Sequence, residues 1–176
     1  MSVKELLKKL ECSKEFKKFH LDNKSAYFCA AFFVYDYDCH QNTMQLDFWN
    51  RGKVMTFIMG DEIVLKDEEF ADKEPLKEIK STDIKTDIDE AIDKSKKELE
   101  KLKMEPSKII AVLQRLKENN QLVWNVTAIS GFNLLRLHIS MDGKFLLHKK
   151  SSLLDMMKIE KSLKKKEDDS SASYVG

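Results

Sequence analysis

The beginning of the chain carries the apolar spacing of two short amphipathic helices. Four apolar residues share one helical stripe at i, i+3, i+4 and i+7: Val3, Leu6, Leu7 and Leu10. Ser13 is a favourable N-cap for a second helix, because its hydroxyl can accept a hydrogen bond from a backbone N–H of the first turn. Phe16 and Phe19 would form the apolar side of that second helix.

An extended pattern follows these helices. Ala26 to Tyr37 is rich in aromatic and other β-favouring side chains at both odd and even positions, which predicts a strand that is buried on both faces. Thr43 to Trp49 and Lys53 to Met59 are predicted as the next two strands, with a turn at Arg51-Gly52 between them. Ile63 to Leu65 can extend the group, so this region predicts an antiparallel meander.

The middle of the chain changes character. Residues 67–83 are acidic, include Pro75 and are predicted as a surface linker. Thr86, followed three residues later by Asp89, resembles a capping box. Six residues then trace one face of a helix that runs to about Met104: Ile88, Ala91, Ile92, Ser95, Leu99 and Leu102. The opposite face is Lys and Glu, so the segment predicts an amphipathic surface helix.

The second half contains further strand signals. Gln121 to Ile129 and Leu134 to Met141 alternate between two faces and are predicted as strands, and Lys144 to His148 is predicted as the returning strand. Asp142-Gly143 is predicted as a two-residue hairpin turn in which Met141 pairs with Lys144. In that register His138 faces Leu147, and His138 and His148 project from opposite faces of the sheet.

The two halves share one layout. Leu46 to Phe57 and Leu137 to His148 each contain an alternating strand, a turn with Gly-Lys, and a returning apolar strand. This similarity indicates a duplicated helix-plus-meander unit, with chance likeness between two ordinary hairpins as the alternative. Lys108 to Leu116 fits either a helix or a strand, but under the duplication it corresponds to Ala26 to Tyr37 and is a strand. Pro106 just ahead of it also favours extended backbone.

The predicted fold class is therefore α+β, with antiparallel β-meanders packed against helices in two related units. The first unit covers 1–66, the linker 67–83 and the second unit 84–163, and a polar tail follows over 164–176. The second unit would close with a helix capped by Ser151 or Ser152. That helix would carry four apolar residues: Leu153, Leu154, Met157 and Leu163.

Three stretches of the second half resemble the PepSY domain, a small α+β module with a cystatin-like helix-on-sheet build. They are the Trp124–Thr127 strand, the Leu137–Lys144 hairpin and the Ser152-Leu-Leu that follows it, within about 84–155. The first half is similar to a more divergent copy. The resemblance implies a protein that binds or restrains peptidases, and it supplies no catalytic residues. Family members are often exported, whereas no export signal is recognisable at the start of this sequence.

The amino-acid composition and the net charge argue against some classes of function. With 31 basic and 30 acidic residues the net charge is +1, which does not favour a dedicated nucleic-acid binder. Lysines concentrate in residues 1–24 and 144–166, so weak association with nucleic acid through these clusters is one alternative function. The longest apolar run, Ala26 to Tyr35, is about half of the roughly 20 residues that a spanning helix needs. Three cysteines without a CxxC pair favour a reducing cytoplasm.

Candidate sites are few. Five residues could form a polar strip on the sheet face away from Trp124: Asn125, Thr127, Arg136, His138 and Ser140. A peptide could lie across this strip, and a solvated sheet face is the simpler interpretation. Cys39 and His40, close to Asp36 and Asp38, could belong to a metal or enzyme site, although no second Cys/His pair stands at ligand spacing. No cofactor or catalytic motif is predicted, so the favoured function is a non-enzymatic intracellular protein- or peptide-binding protein.

Overall fold

A computed structural model describes residues 2–70 and 74–152 of the chain. Over these residues the helices are α1 (Val3–Cys12), α2 (Lys14–Asp22) and α3 (Ile88–Lys101), with a 3-10 turn at Ser81–Asp83. The first four strands are β1 (Tyr27–Asp36), β2 (Thr43–Asn50), β3 (Lys53–Met59) and β4 (Ile63–Phe70). The last four are β5 (Lys108–Arg115), β6 (Leu122–Ser130), β7 (Asn133–Ser140) and β8 (Phe145–Ser152).

All eight strands form one antiparallel sheet in the order β4-β3-β2-β1-β5-β6-β7-β8. The first strands of the two meanders, β1 and β5, pair at the centre, and each meander runs outward from there. The predicted α+β fold class is confirmed, as is the assignment of Lys108 to Leu116 as mainly strand. β4 continues to Phe70, so four of its residues fall within the segment predicted as linker.

The strand order corrects one detail of the repeat. The two hairpins that share a sequence layout are β2–β3 and β7–β8, whereas the topological equivalent of β2–β3 is β6–β7. The predicted correspondence between Leu46–Phe57 and Leu137–His148 was therefore wrong by one hairpin. Any hairpin with a glycine in its turn produces the same local pattern, and such a pattern does not record how many strands precede it.

The core lies between the three helices and one face of the sheet. The stripe predicted for α1 is buried, and it joins residues of α3 and of every strand from β1 to β3 and from β5 to β7 in one apolar cluster. In β1, Ala31 and Phe33 point into this cluster, while Phe32 and Val34 are only half-buried. The described helices all pack on the same side of the sheet, so within the described residues they do not provide the predicted cover for the second face of β1.

The start of α3 also differs from its prediction. Asp87 rather than Thr86 is the N-cap, and Thr86 is buried with its hydroxyl donating to the carbonyl of Met141 at 3.0 Å. The Oδ1 atom of Asp87 accepts hydrogen bonds from the backbone N–H of Ile88 at 2.7 Å and of Val3 at 3.0 Å. One carboxylate thus caps α3 and ties the first residue of α1 to it.

We expect Asp87→Ala to lower the free energy of unfolding by about 1–2 kcal/mol, because two helix N-termini lose an acceptor. Urea denaturation followed by circular dichroism measures the change. Asp93→Ala, at an exposed position within α3, is the matched control and should stay within about 0.5 kcal/mol. Equal effects of the two substitutions would contradict the bridging role of Asp87.

The β7–β8 connection is longer than predicted. Ser140 N–H donates to the Lys144 carbonyl at 2.9 Å, which leaves a three-residue loop, with Gly143 in the left-handed region at φ +77°. Met141 therefore does not pair with Lys144. A bulge at Leu146 restores the predicted pairs His138–Leu147 and Leu137–His148. Such a loop is a regular alternative to the two-residue turn when glycine can take the left-handed position.

β8 continues to Ser152, so Ser151 and Ser152 are strand residues and not a helix cap. The predicted closing helix over Leu153, Leu154, Met157 and Leu163, and the predicted tail, lie outside the described residues. Ser13, in contrast, caps α2 as predicted, with its hydroxyl accepting from the Phe16 N–H at 3.1 Å.

Candidate functional site

The face of the sheet opposite the core carries none of the described helices, and we call it the open face. Its residues alternate with those of the apolar cluster along each strand. Many of its side chains are half-buried, whereas Val123 and Leu134 on the same face are buried.

Two rows of directly opposed residues run across the middle of the open face. The first row is Phe32, Val112, Asn125 and His138, and the second is Val34, Ile110, Thr127 and Arg136. Neighbours within a row belong to adjacent strands, so their Cβ atoms lie about 5 Å apart. We call these eight residues the central patch. Its β1–β5 half is apolar and its β6–β7 half is polar.

The structure places all five predicted strip residues on the open face, and four of them are half-buried. Ser140 is buried, and its hydroxyl is hydrogen-bonded to the Asp142 carboxylate and to the Lys144 backbone. This network holds the β7–β8 loop and lowers the pKa of Asp142 to about 2, chiefly through its bond with Lys144. Ser140 is therefore structural. The other four form two cross-strand pairs, Asn125–His138 and Thr127–Arg136.

The charge on the second half of the open face is of one sign. Lys108, Arg136 and Lys149 lie on this face of β5, β7 and β8, and no acidic residue lies on this face of β5 to β8. Arg136 and Lys149 are direct cross-strand partners. Lys108 forms an ion pair with Asp36 at 3.0 Å, and Lys149 is exposed.

The other histidine of this meander, His148, projects from the opposite face as predicted. Its Nε2 lies 3.2 Å from a Glu98 carboxylate oxygen on α3. The pKa of Glu98 is lowered mainly by Lys101, with a smaller contribution from His148. His148 thus ties β8 to α3 and takes no part in the open face.

The β1–β2 turn holds Cys39 and His40, which are both exposed. Asp36 Oδ1 accepts hydrogen bonds from the backbone N–H groups of Asp38 at 3.1 Å and Cys39 at 2.9 Å. The bond from Cys39, together with the ion pair to Lys108, lowers the pKa of Asp36. The aspartate therefore shapes the turn. Within residues 2–70 and 74–152, no three potential His, Cys, Asp or Glu ligands are grouped to hold a metal ion.

β1 and β5 separate at one end of the open face. Their pairing ends at Ala31 and Leu113, and the linker enters the gap between them. Ile79 N–H donates to the Phe28 carbonyl at 2.8 Å. Arg115 donates to the Glu78 carbonyl at 2.9 Å and pairs with Asp83 at 2.6 Å. The two halves are therefore joined here by the linker.

Sequence reasoning missed the apolar half of the central patch and Lys149. Phe32 and Val34 were predicted to be covered, because a strand with two apolar faces is normally covered twice, and no face was predicted for Ile110 and Val112. The sequence pattern did not indicate that β1 and β5 pair with each other. Two equivalent strands meeting at the centre of the sheet bring two moderately apolar faces together as one continuous surface.

The sequence matches no protein-family model and no curated protein. Among solved structures, the chain is similar to the crystal structure of a "putative lipoprotein" from Clostridium difficile 630. The similarity has a TM-score of 0.54 at 12% identity and covers 78% of this chain and 90% of that chain. Likeness at this identity shows the shared fold alone. The PepSY resemblance is not tested by these findings and stays a prediction.

No helix in the described ranges is both long and apolar enough to cross a membrane.

Proposed function

We propose that this protein is a non-enzymatic binding protein that holds an acidic polypeptide across the open face of its sheet. The observation that carries the proposal is the composition of the central patch. Four accessible apolar side chains stand beside Arg136 and His138, with Lys149 next to Arg136 and no acidic residue on that half of the face. Apolar area provides affinity, and charges of one sign select the partner and its orientation.

A phage library of random dodecapeptides, panned against the immobilised full chain, provides a defined set of probes. We expect selected peptides to combine Asp or Glu with apolar residues. Lys149→Glu should weaken binding of a selected peptide by about tenfold, since a like charge then faces the ligand. Lys97→Glu is the matched control, because Lys97 is exposed on α3, and it should leave the affinity within about twofold.

Two results would overturn the proposal. One is the failure of any peptide to be enriched over a surface without protein. The other is a selected peptide whose affinity falls with Lys97→Glu and not with Lys149→Glu. Salt-sensitive binding of a labelled 20-nucleotide single strand, in the absence of peptide selection, would instead favour the nucleic-acid alternative.

The proposal includes a reducing cytoplasm as the site of action. All three cysteines are free thiols, and Cys12 and Cys39 are exposed. Exposed thiols persist in a reducing compartment and tend to oxidise outside it. Fractionation of the native cells tests this part, and recovery of the protein in a membrane or exported fraction would contradict it.

A further inference from the structure

β8 forms one edge of the sheet, because it is the last strand in the strand order and pairs only with β7 among the described strands. In an antiparallel strand, every second residue directs its backbone N–H and C=O groups to one neighbour, and the residues between them direct theirs to the other side. Half of the backbone groups of β8 therefore face away from β7. The register with β7 is regular from Leu147 to Ser152, so this stretch can accept a further strand.

The charge along this edge has one sign. β8 contains no acidic residue. Lys149 and Lys150 are both exposed, and neither forms an ion pair with a described residue. They point to opposite faces of the sheet, because they are neighbours on a strand. Glu98 on α3 contacts His148 at 3.2 Å, but it is also paired with Lys101 at 2.6 Å. The edge therefore carries net positive charge on both faces of the sheet.

Exposed apolar side chains lie at the start of the same strand. Phe145 is 39% exposed and Leu146 is 47% exposed, although both belong to the sheet. Leu146 is the extra residue of the bulge in β8, and the Phe145 ring meets the His148 ring edge-on with centroids 6.2 Å apart. Apolar area and positive charge thus follow each other along one strand, in that order.

We propose that the edge of β8 binds a segment of the acidic polypeptide as a ninth, antiparallel strand. The inference rests on the proposed function and adds the binding mode and the orientation of the partner. Antiparallel pairing continues the alternation of the sheet and brings the N-terminal residues of the partner opposite the C-terminal residues of β8. The partner segment therefore carries Asp or Glu first, opposite Lys150 and Lys149, and apolar residues next, against Phe145 and Leu146. Main-chain hydrogen bonds provide affinity, and these side chains select the sequence.

Lys150→Glu separates edge pairing from binding on the open face alone. Lys150 pairs with Leu135, a core residue, so its side chain lies on the helix side of the sheet. With the full chain and a peptide selected as described above, we expect Lys150→Glu to weaken binding about tenfold, because a like charge then faces an acid of the peptide. Lys97→Glu is again the matched control, since Lys97 is exposed on α3, and it should leave the affinity within about twofold.

An N-methyl scan of the selected peptide tests the main-chain bonds without altering the protein. Each backbone N–H of the peptide is methylated in turn. Positions whose N–H points to β8 should lose about tenfold in affinity and the positions between them about twofold or less, so the effect alternates with a period of two residues. A peptide of reversed sequence should bind at least about tenfold more weakly, because its acids then lie against Phe145 and Leu146.

Failure of this inference and failure of the proposed function give different results. A scan without alternation, or no effect of Lys150→Glu, overturns edge pairing, and binding to the open face stands if Lys149→Glu still weakens it. If neither lysine substitution has an effect, both are overturned. A reversed peptide that binds equally well would overturn the orientation. A peptide-free chain that sediments as a dimer, with its β8 amides protected from hydrogen exchange, would assign the edge to a second copy and overturn the inference.

Discussion

Replacing Trp124 with alanine is expected to lower the free energy of unfolding by about 3–5 kcal/mol. The side chain is fully buried on β6, and its ring meets that of Phe33 with centroids 5.8 Å apart. Its indole Nε1 donates to the Thr86 carbonyl at 2.9 Å, just ahead of α3. The substitution therefore leaves a cavity beside β1 and a buried carbonyl without its donor.

Urea denaturation followed by circular dichroism measures this effect without relying on the fluorescence of the replaced residue. Trp124→Phe separates the two causes, because it keeps most of the packing and loses the hydrogen bond, with an expected cost of about 1–3 kcal/mol. Phe132→Ala, at a position 69% exposed in the β6–β7 turn, should cost less than about 0.5 kcal/mol. A loss below about 1 kcal/mol for Trp124→Ala would mean that the ring lies outside the core.

Phe57→Ala is expected to destabilise the first half by a similar amount, about 3–5 kcal/mol. Phe57 is fully buried on β3, and its ring lies 5.2–5.7 Å from those of Phe16, Phe19 and Phe48. The loss removes the centre of an aromatic cluster that joins α2 to the sheet. Phe57→Leu, which conserves most of the volume, should cost less than about 1.5 kcal/mol.

This substitution also tests whether the two halves unfold together. In a Trp49→Phe background, fluorescence reports on Trp124 alone, in the opposite half from Phe57. Because the apolar cluster is continuous across both halves, the fluorescence and circular dichroism transitions should shift together. A Trp124 transition that stays in place while the circular dichroism transition moves would show two independent units.

Local periodicity was sufficient to predict the helices and most strands. The apolar residues of α1 and α3 recur about every 3.6 residues. This spacing is sufficient to predict a helix with one buried face. β5 was too short and too apolar for periodicity to decide, and the repeat together with Pro106 supplied the answer. The cap of α3 was misplaced by one residue, because Thr86 and Asp87 are both good capping residues and the Thr86 hydroxyl bonds the distant Met141 carbonyl instead.

The candidate site was predicted only in part. Alternation along β6 and β7 located Asn125, Thr127, Arg136 and His138 on one face, since side chains on a strand alternate by geometry alone. Pairing between β1 and β5 is a contact between distant parts of the chain, and no local pattern specifies it. The apolar half of the patch depends on that contact, so it became visible only in the structure.

The helices cover one face of the sheet and leave the other open. The reactivity of cysteines placed at adjacent positions of β6 tests this most directly. In a Cys12→Ser, Cys39→Ser background, Thr127→Cys places a thiol on the open face and Ala128→Cys places one in the core. We expect Thr127→Cys to react with a disulfide reagent at least about 100-fold faster in native buffer, because a core thiol reacts only after local opening. Comparable rates for the two would contradict the open face and the binding function proposed for it.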